Sequence, residues 1–319
     1  MPRYRLTIAY DGTDFSGWQR QRTTHTDPAS GEARATFDDT RTVQRVLERA
    51  VMEVVREPIE LKGASRTDAG VHANAQVAAF TCSDGSGADS RGRGWPLERG
   101  IEPLVRAINS RLPDDVLVAS AAHVPDAFDP VFDCIAKGYS YTYFSSPHRT
   151  LWDRRRVFHT WVPLDLDAMN HAARCFEGEH DFAAFAAAGH GRATTVRTIF
   201  RCALRDITPD RSTPDDAPAP PGAFILPPGR LVRMEIAGSG FLYNMVRIIA
   251  GTLHEVGRGR LPPTEVPAII ASATRASAGP TLPASGLCLE WIRYRPESLA
   301  HERADPSGPS PAPPEEPLA

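Results

Sequence analysis

Two successive sets of strand and helix patterns, in a similar mixed order, constrain the fold of this chain more than any other feature. The first set opens with residues 3–10, where apolar and polar side chains alternate, and contains a helical pattern over residues 43–56. The second set contains helical patterns over residues 165–176 and 241–256. Alternation indicates strands with one wet face, and i, i+3, i+4 spacing indicates amphipathic helices. This order favours an α+β fold of two halves, each a mostly antiparallel sheet with helices on one face.

The two sets also suggest where the chain divides. We expect an N-terminal half over residues 1–150 and a C-terminal half over residues 151–295, with the boundary near residues 147–163. The proline-rich segment 296–319 has the composition of a disordered tail. Three further polar or Pro- and Gly-rich segments are expected to be loops: residues 22–41, 83–94 and 208–229.

Charge and composition exclude several classes of protein. Lys and Arg total 36 and Asp and Glu total 39, but the tail holds five of the acids and one of the bases, so the body is close to neutral. Such a body can still present a basic face, and RNA binding is therefore not excluded. No apolar run approaches a membrane span, so no membrane partner is expected. The five cysteines form no CxxC pair, which argues against a zinc site and against a disulfide framework. A protein of the reducing cytoplasm is therefore expected.

Common nucleotide and metal motifs are missing from the sequence. There is no GxxxxGK[ST] loop and no HExxH, and the GxGxxG pattern that begins at Gly238 has Tyr243 in its third glycine position. The sequence therefore predicts neither a phosphate-binding loop nor a zinc-protease helix.

The most informative chemistry lies in residues 63–73, GASRTDAGVHA, which place Asp68 between Arg66 and Gly70 just before a strand. The ordinary interpretation is a turn in which the aspartate accepts local backbone N–H groups and Arg66 pairs with a nearby acid. The functional interpretation is a carboxylate in a cleft, kept ionised by a guanidinium, that acts as a nucleophile or base. The residues alone leave both interpretations open.

Six segments resemble the TruA family of tRNA pseudouridine synthases and occur in that family's order. The resemblance spans roughly residues 3–295. RTDAGVHA is highly specific for the family, and GWQRQ and FLYNMVR support it independently. In chain order the segments are GWQRQ, SRTDAGVHA, KGYSYTYF, DFAAF, FLYNMVR and PASGLCLEWIRY.

This resemblance implies a fold and an activity. The fold would be two ferredoxin-like or RRM-like halves joined in one catalytic core, with the active-site cleft between them. The activity would be isomerisation of uridine to pseudouridine at tRNA positions 38–40, in the anticodon stem-loop. The partner would be tRNA, the enzyme a cytoplasmic homodimer, and no metal or organic cofactor would be required.

The resemblance also assigns site residues. Asp68 matches the catalytic aspartate, and Arg66 matches an arginine that pairs with it and helps to displace the target base. Tyr139 matches a tyrosine that packs against the uracil, and Arg247 an arginine behind the aspartate. The carboxylate could attack the ribose or the uracil ring, or assist deprotonation, and the sequence does not choose among these. Taken alone, Tyr139 suits core packing and Arg247 suits a structural ion pair.

Several positions depart from the family pattern. Val131 stands where the family usually has an arginine, Ser65 stands where glycine is common, and the three polar segments look long. These departures keep open an alternative, a catalytically impaired RNA-binding protein on the same scaffold. A second alternative is a metal-dependent hydrolase that uses Asp68, His72 and His123.

Overall fold

The computed structural model describes most of the chain and leaves short gaps. The described residues are 1–19, 22–26, 33–37, 40–86, 92–187, 194–209 and 229–299. Within them, ten strands form one sheet: β1 (Arg3–Tyr10), β4 (Lys62–Gly63), β5 (His72–Thr81), β6 (Val116–Val124), β7 (Cys134–Ser145), β8 (Phe158–Thr160), β9 (Gly178–Asp181), β10 (Val196–Asp206), β11 (Arg230–Gly238) and β12 (Leu287–Tyr294).

The main path of the sheet runs β6-β1-β5-β12-β7-β11-β10-β9, with β4 on β5 and β8 on β7. Most neighbours are antiparallel, whereas β12 runs parallel to β5 and β8 parallel to β7. In the parallel β5–β12 junction, Cys288 lies opposite His72 and Leu289 opposite Ala73. This junction joins β6, β1 and β5 to the rest of the sheet.

Five α-helices occur in the described part of the chain: α1 (Val43–Val55), α2 (Ile101–Asn109), α3 (Leu166–Arg174), α4 (Met245–Gly257) and α5 (Val266–Ser272). Their buried side chains share one core with the even-numbered residues of β1 and with the tyrosines of β7. The helices therefore cover one face of the sheet. The predicted α+β class with a mostly antiparallel sheet is confirmed, and the division at residue 150 stays a prediction.

Helix α1 shows how the sequence defines these elements. The Thr42 side chain accepts a hydrogen bond from the Arg45 backbone N–H and caps the first turn, and Arg56 ends the helix with a φ of 58°. Val43, Leu47 and Val51 recur at helical spacing and are fully buried against the sheet.

The expected loop over residues 22–41 is wrong in part. Strands β2 (Arg22–Thr26) and β3 (Ala33–Phe37) pair as a separate antiparallel hairpin. Their threonine-rich sequences favour extended backbone, but they lack the apolar alternation that marks a buried strand face. Within the other expected loops, residues 87–91 and 210–228 lie outside the described residues.

The expected disordered tail falls mostly outside the described residues. Residues Pro296–Leu299 form a short 3₁₀ helix, and residues 300–319 are not described. None of the helices among the described residues has the length and apolar character needed to cross a membrane.

Truncation of a core leucine should reveal the contribution of α1 to stability. We expect Leu47→Ala, at a fully buried position, to lower the free energy of unfolding by about 2–5 kcal/mol because it leaves a cavity. Leu151→Ala makes the same chemical change at a position that is 63% exposed and should cost less than about 0.5 kcal/mol. Urea unfolding followed by circular dichroism measures both. Equal losses in the two variants would contradict the packing described here.

Candidate active site

The segment that carries Asp68 is a short loop between β4 and β5. The Ala64 backbone N–H donates to the Val77 carbonyl at 2.8 Å and anchors the start of the loop. The Val71 N–H donates to the Asp68 carbonyl at 3.1 Å, and Gly70 adopts a φ of 80°. Asp68 therefore does lie in a tight turn, as the ordinary interpretation of this segment has it. The turn leaves the Asp68 side chain able to face another element.

A buried glutamine fixes the first half of this loop. The Gln76 side chain accepts a hydrogen bond from the Ser65 N–H at 3.2 Å and donates one to the Ser65 carbonyl at 2.6 Å. Gln76 is fully buried in β5, so both of its polar groups need partners within the protein. It therefore ties the backbone of the loop to the sheet three residues before Asp68.

Gly17 and Trp18, the first two residues of the GWQRQ motif, also pack against the loop. The Trp18 N–H donates to the Thr67 carbonyl at 3.0 Å, and the hydroxyls of Tyr10 and Thr67 share a hydrogen bond of 2.7 Å. Gly17 has a φ of 93°, and a Cβ there would lie 2.7 Å from the Thr67 carbonyl oxygen. Only glycine fits this close approach, which explains why the motif begins with one.

Asp68 faces Arg247 in the first turn of α4. One Asp68 carboxylate oxygen, Oδ2, lies 3.4 Å from Arg247 Nη1, with 25% and 18% of the two side chains exposed. Arg247 is itself held in place, because its Nε donates to the Leu282 carbonyl at 2.7 Å and its Nη1 to the Asn244 side chain at 2.8 Å. The guanidinium is thus a fixed positive charge beside a partly solvated carboxylate.

Burial and this ion pair act on the pKa of Asp68 in opposite directions. Burial disfavours the charged carboxylate and is the larger effect, whereas Arg247 lowers the pKa through its charge and hydrogen bond. The pKa of Asp68 is therefore raised above that of an ordinary aspartate. A carboxylate with a raised pKa is a stronger nucleophile and base once it is ionised.

Tyr139 lies next to the loop at the centre of β7. Its hydroxyl shares a hydrogen bond of 3.0 Å with the Ser65 hydroxyl, and its ring meets Phe241 edge-on at 5.1 Å. Burial raises the pKa of Tyr139 to about 12, and the Asp68 charge adds to the shift. The phenol therefore keeps its proton at neutral pH. The hydrogen bond with Tyr139 also gives Ser65 a role that a glycine at this position could not fill.

Arg66 does not make the expected pairing with Asp68. Its side chain is exposed, and among the described residues it makes no ion pair, while Arg247 takes the place beside the carboxylate. Side chains two residues apart in a tight loop diverge easily, so closeness in sequence did not bring these two together. Arg66 instead lies exposed on the loop that carries Asp68.

The proposed metal set of Asp68, His72 and His123 is not assembled. His72 is buried, and burial holds its pKa below the usual range. Its Nδ1 accepts from the Gly12 N–H at 3.1 Å, and its Nε2–H donates to the Arg155 carbonyl at 2.7 Å. His123 lies on β6 beside Tyr4. Within the described ranges, no group of three or more His, Cys, Asp or Glu side chains could hold a metal ion.

Val131, which departs from the family pattern, lies in an exposed loop before β7. Its backbone N–H donates to the Asp129 carboxylate at 2.8 Å, and that carboxylate also pairs with Lys62 at the start of the loop that leads to Asp68. The Val131 side chain is exposed and is not needed for the contacts of Asp68 described above.

Two residues that build the site, Gln76 and Asn244, were not predicted from the sequence. Gln76 was identifiable as a polar residue inside the apolar strand AQVAAF, a position where a side-chain amide needs a buried partner. Asn244 adopts a φ of 60°, a left-handed conformation that asparagine tolerates better than most residues, and it orients Arg247.

Removal of the Gln76 amide should destabilise the loop. Gln76→Met keeps the side-chain length but leaves the Ser65 N–H and carbonyl without their buried partner. We therefore expect it to lower the free energy of unfolding by about 2 kcal/mol or more. Gln19→Met makes the same change at an exposed position and should shift stability by less than about 0.5 kcal/mol. Denaturant unfolding measures the free energy of unfolding of both variants. A Gln76→Met protein as stable as Gln19→Met would show that the amide is dispensable.

The sequence matches the tRNA pseudouridine synthase family over residues 6–133 and 172–295. It is 39% identical to tRNA pseudouridine synthase A of Pelobacter propionicus over 294 residues, which cover 92% of this chain and all of that protein. It is 37% identical to the protein of that name from Ruminiclostridium cellulolyticum, with the same coverage, and 39% identical to that of Nitratidesulfovibrio vulgaris over 307 residues, 92% of this chain and all of the relative. The chain therefore belongs to the tRNA pseudouridine synthase family, which isomerises uridine to pseudouridine in tRNA.

Proposed function

We propose that this chain converts uridine to pseudouridine at positions 38–40 of the tRNA anticodon stem-loop, with Asp68 as the nucleophile. The observation that carries the proposal is the Asp68–Arg247 pair beside Tyr139, on a loop held by Gln76. The three side chains come from three separate elements, so their convergence on one place is a property of the fold. The resemblance of the whole chain to tRNA pseudouridine synthases supplies the substrate and the target positions.

The chemistry of the reaction fits these residues. Uridine and pseudouridine are isomers: the N1–C1′ bond breaks, the uracil turns, and a C5–C1′ bond forms while the C5 proton is replaced by a proton on N1. No oxidant, reductant or added water is consumed, and the proposed reaction requires no metal or organic cofactor. An ionised Asp68 supplies the electron pair that forms a transient bond to the nucleoside, and the same carboxylate leaves at the end.

Arg247, Tyr139 and Arg66 take supporting roles in this proposal. Arg247 keeps enough of the Asp68 population ionised at neutral pH, against the effect of burial. Tyr139 offers a protonated aromatic ring against which the uracil packs. Extrusion of a base from a stem costs a few kcal/mol, and in this proposal Arg66 helps to displace the target base.

The remaining parts of the proposal concern the assembly and its setting. We propose a cytoplasmic homodimer with two structural halves divided near residue 150. The cytoplasmic location is supported by the five cysteines, which are all free thiols. The alternative of an impaired RNA-binding protein finds no support, because Asp68 retains its arginine and tyrosine neighbours. Sedimentation of the purified protein tests the oligomeric state.

Replacement of the nucleophile should abolish the reaction. We expect Asp68→Asn to lower the single-turnover rate of pseudouridine formation by about 1,000-fold or more, because an amide cannot form the transient bond. Pseudouridine is mapped in unmodified tRNA after incubation with each protein. Asp126→Asn, at an exposed position, is the matched control and should keep the wild-type rate.

The location of the product separates the parts of this proposal. Product at positions other than 38–40 would refute the target assignment. Equal rates for Asp68→Asn and wild type would refute Asp68 as the nucleophile, and no product with the wild type would refute the activity.

The pH dependence of the reaction should report on the Asp68–Arg247 pair. The reacting form is the carboxylate, so the single-turnover rate should fall as the pH drops through the raised pKa of Asp68. Arg247 is the group that lowers this pKa. We therefore expect Arg247→Gln to move the inflection to higher pH and Arg247→Lys, which keeps the charge, to move it less. An inflection that stays in place or moves to lower pH in Arg247→Gln would contradict the electrostatic role.

A further inference from the structure

The segment between β7 and β8 carries an exposed aromatic and basic surface that the reaction at Asp68 does not use. Residues 147–156, which we name the Trp152 segment, read PHRTLWDRRR and contain four arginines and one aspartate. Trp152 is 91% exposed, and the neighbouring Leu151 is exposed as well. An indole that is almost fully exposed to solvent among arginines contributes little to the packing of the monomer.

Trp152 is the most exposed of the five tryptophans, which points to a partner outside the monomer. Trp18 and Trp95 are each only 2% exposed and pack in the core, and Trp161 and Trp291 are 63% and 36% exposed. A tryptophan buries about 150–250 Å² when it is covered, so Trp152 leaves most of that area in water. Aromatic rings flanked by cationic side chains are the usual platform for unpaired nucleic-acid bases, since the ring stacks on the base while guanidinium groups contact the backbone.

The Trp152 segment is hydrogen-bonded to the first residue of β5, directly after the loop that carries Asp68. The Arg155 carbonyl accepts a hydrogen bond of 2.7 Å from His72, which lies four residues after Asp68. The Arg155 guanidinium also lies 3.4 Å from the Asp14 carboxylate. The Trp152 segment therefore lies in the same part of the molecule as the Asp68 loop, which is where a bound RNA has to approach the protein.

The fold of the segment leaves its charges on the surface. The Arg156 N–H donates to the Asp153 carbonyl at 2.8 Å and closes a tight turn. Arg149 and Arg154 are exposed, and Arg149 makes no ion pair within the described part of the chain. Arg154 Nη1 donates to the Leu151 carbonyl at 2.7 Å, and the other N–H groups of this exposed guanidinium, like those of Arg149, face solvent where a polyanion can reach them.

We propose that the Trp152 segment is a second tRNA-contact site, in which Trp152 stacks on an unpaired base and Arg149 and Arg154 contact neighbouring phosphates. This inference rests on the proposed function, since it takes tRNA to be the substrate. A second copy of this chain is a weaker fit, because two such segments facing each other, each with three more positive than negative side chains, would bring like charges together.

The test measures the affinity of labelled, unmodified tRNA by fluorescence anisotropy over a range of salt concentrations. All proteins carry Asp68→Asn, so that the tRNA is not converted during the measurement. We expect Trp152→Ala to bind about 5- to 100-fold more weakly, the loss of one base–aromatic stack, and Trp152→Phe to retain most of the affinity. Arg149→Ala should reduce the slope of log affinity against log salt by about 1. Arg49→Ala, an exposed arginine on α1, is the matched control and should bind as the parent protein does.

Three outcomes separate this inference from the proposed function. Parent-like affinity in both Trp152→Ala and Arg149→Ala, alongside pseudouridine formation by the wild type, would overturn the inference alone. Binding that depends on Trp152, in a wild type that forms no pseudouridine, would support the contact site and overturn the proposed function. Loss of self-association in Trp152→Ala, with unchanged tRNA affinity, would overturn the inference and identify a contact between protein copies.

Discussion

The Asp68–Arg247 ion pair is the interaction on which the arrangement of the site depends, and it connects residues 179 positions apart in the chain. A loop carboxylate that is only partly buried has no intrinsic reason to face a given direction. Both partners are held in place: Gln76 and Trp18 fix the backbone of the loop, while Asn244 and the Leu282 carbonyl fix the guanidinium. Because each partner is held independently, the pair does not have to be strong to be well positioned. Its 3.4 Å separation is long for a charge-assisted hydrogen bond, which leaves the carboxylate oxygens accessible to a substrate.

The groups that stabilise the loop are therefore different from the group that is proposed to react. The groups that hold the loop are buried, neutral and fully hydrogen-bonded, as in Gln76 and the Tyr10–Thr67 pair. The group proposed to react is charged, partly exposed and paired with a single guanidinium, and burial raises its pKa. A stronger second ion pair with Arg66 would lower that pKa further and would occupy an oxygen that the nucleoside needs. The exposed position of Arg66 is thus consistent with a nucleophile that must remain available.

The sequence could predict the local elements of this fold but not the contacts that join them. Apolar alternation in residues 3–10 and helical spacing in residues 43–56 specified β1 and α1, because periodicity follows directly from burial on one face. The β5–β12 junction pairs His72 with Cys288, and no local pattern in either strand specifies a parallel partner so far along the chain. The pairing of β2 with β3 was not predicted because their threonines favour strand backbone without marking a buried face.

The candidate site shows the same limit. From the residues alone, Asp68 was equally compatible with an ordinary turn, and the structure shows that it is in one. What distinguishes it is the approach of Arg247 and Tyr139 from distant elements, which family resemblance indicated and which spacing could not. The roles of these residues in the reaction stay predictions, as does that of Arg66.

The near-neutral charge of the chain and its proposed tRNA substrate are reconciled by where the arginines lie. A protein that binds RNA needs positive charge only where the backbone of the RNA passes, and a uniformly basic surface would bind any polyanion. Here Arg66 extends from the loop of the nucleophile, and the arginines of the Trp152 segment cluster beside the end of the same loop. The exposed indole adds a contact that a double-stranded stem cannot make, since its bases are already stacked. Charge would then bring the RNA to this face, and stacking would favour those RNA molecules in which a loop base is unpaired.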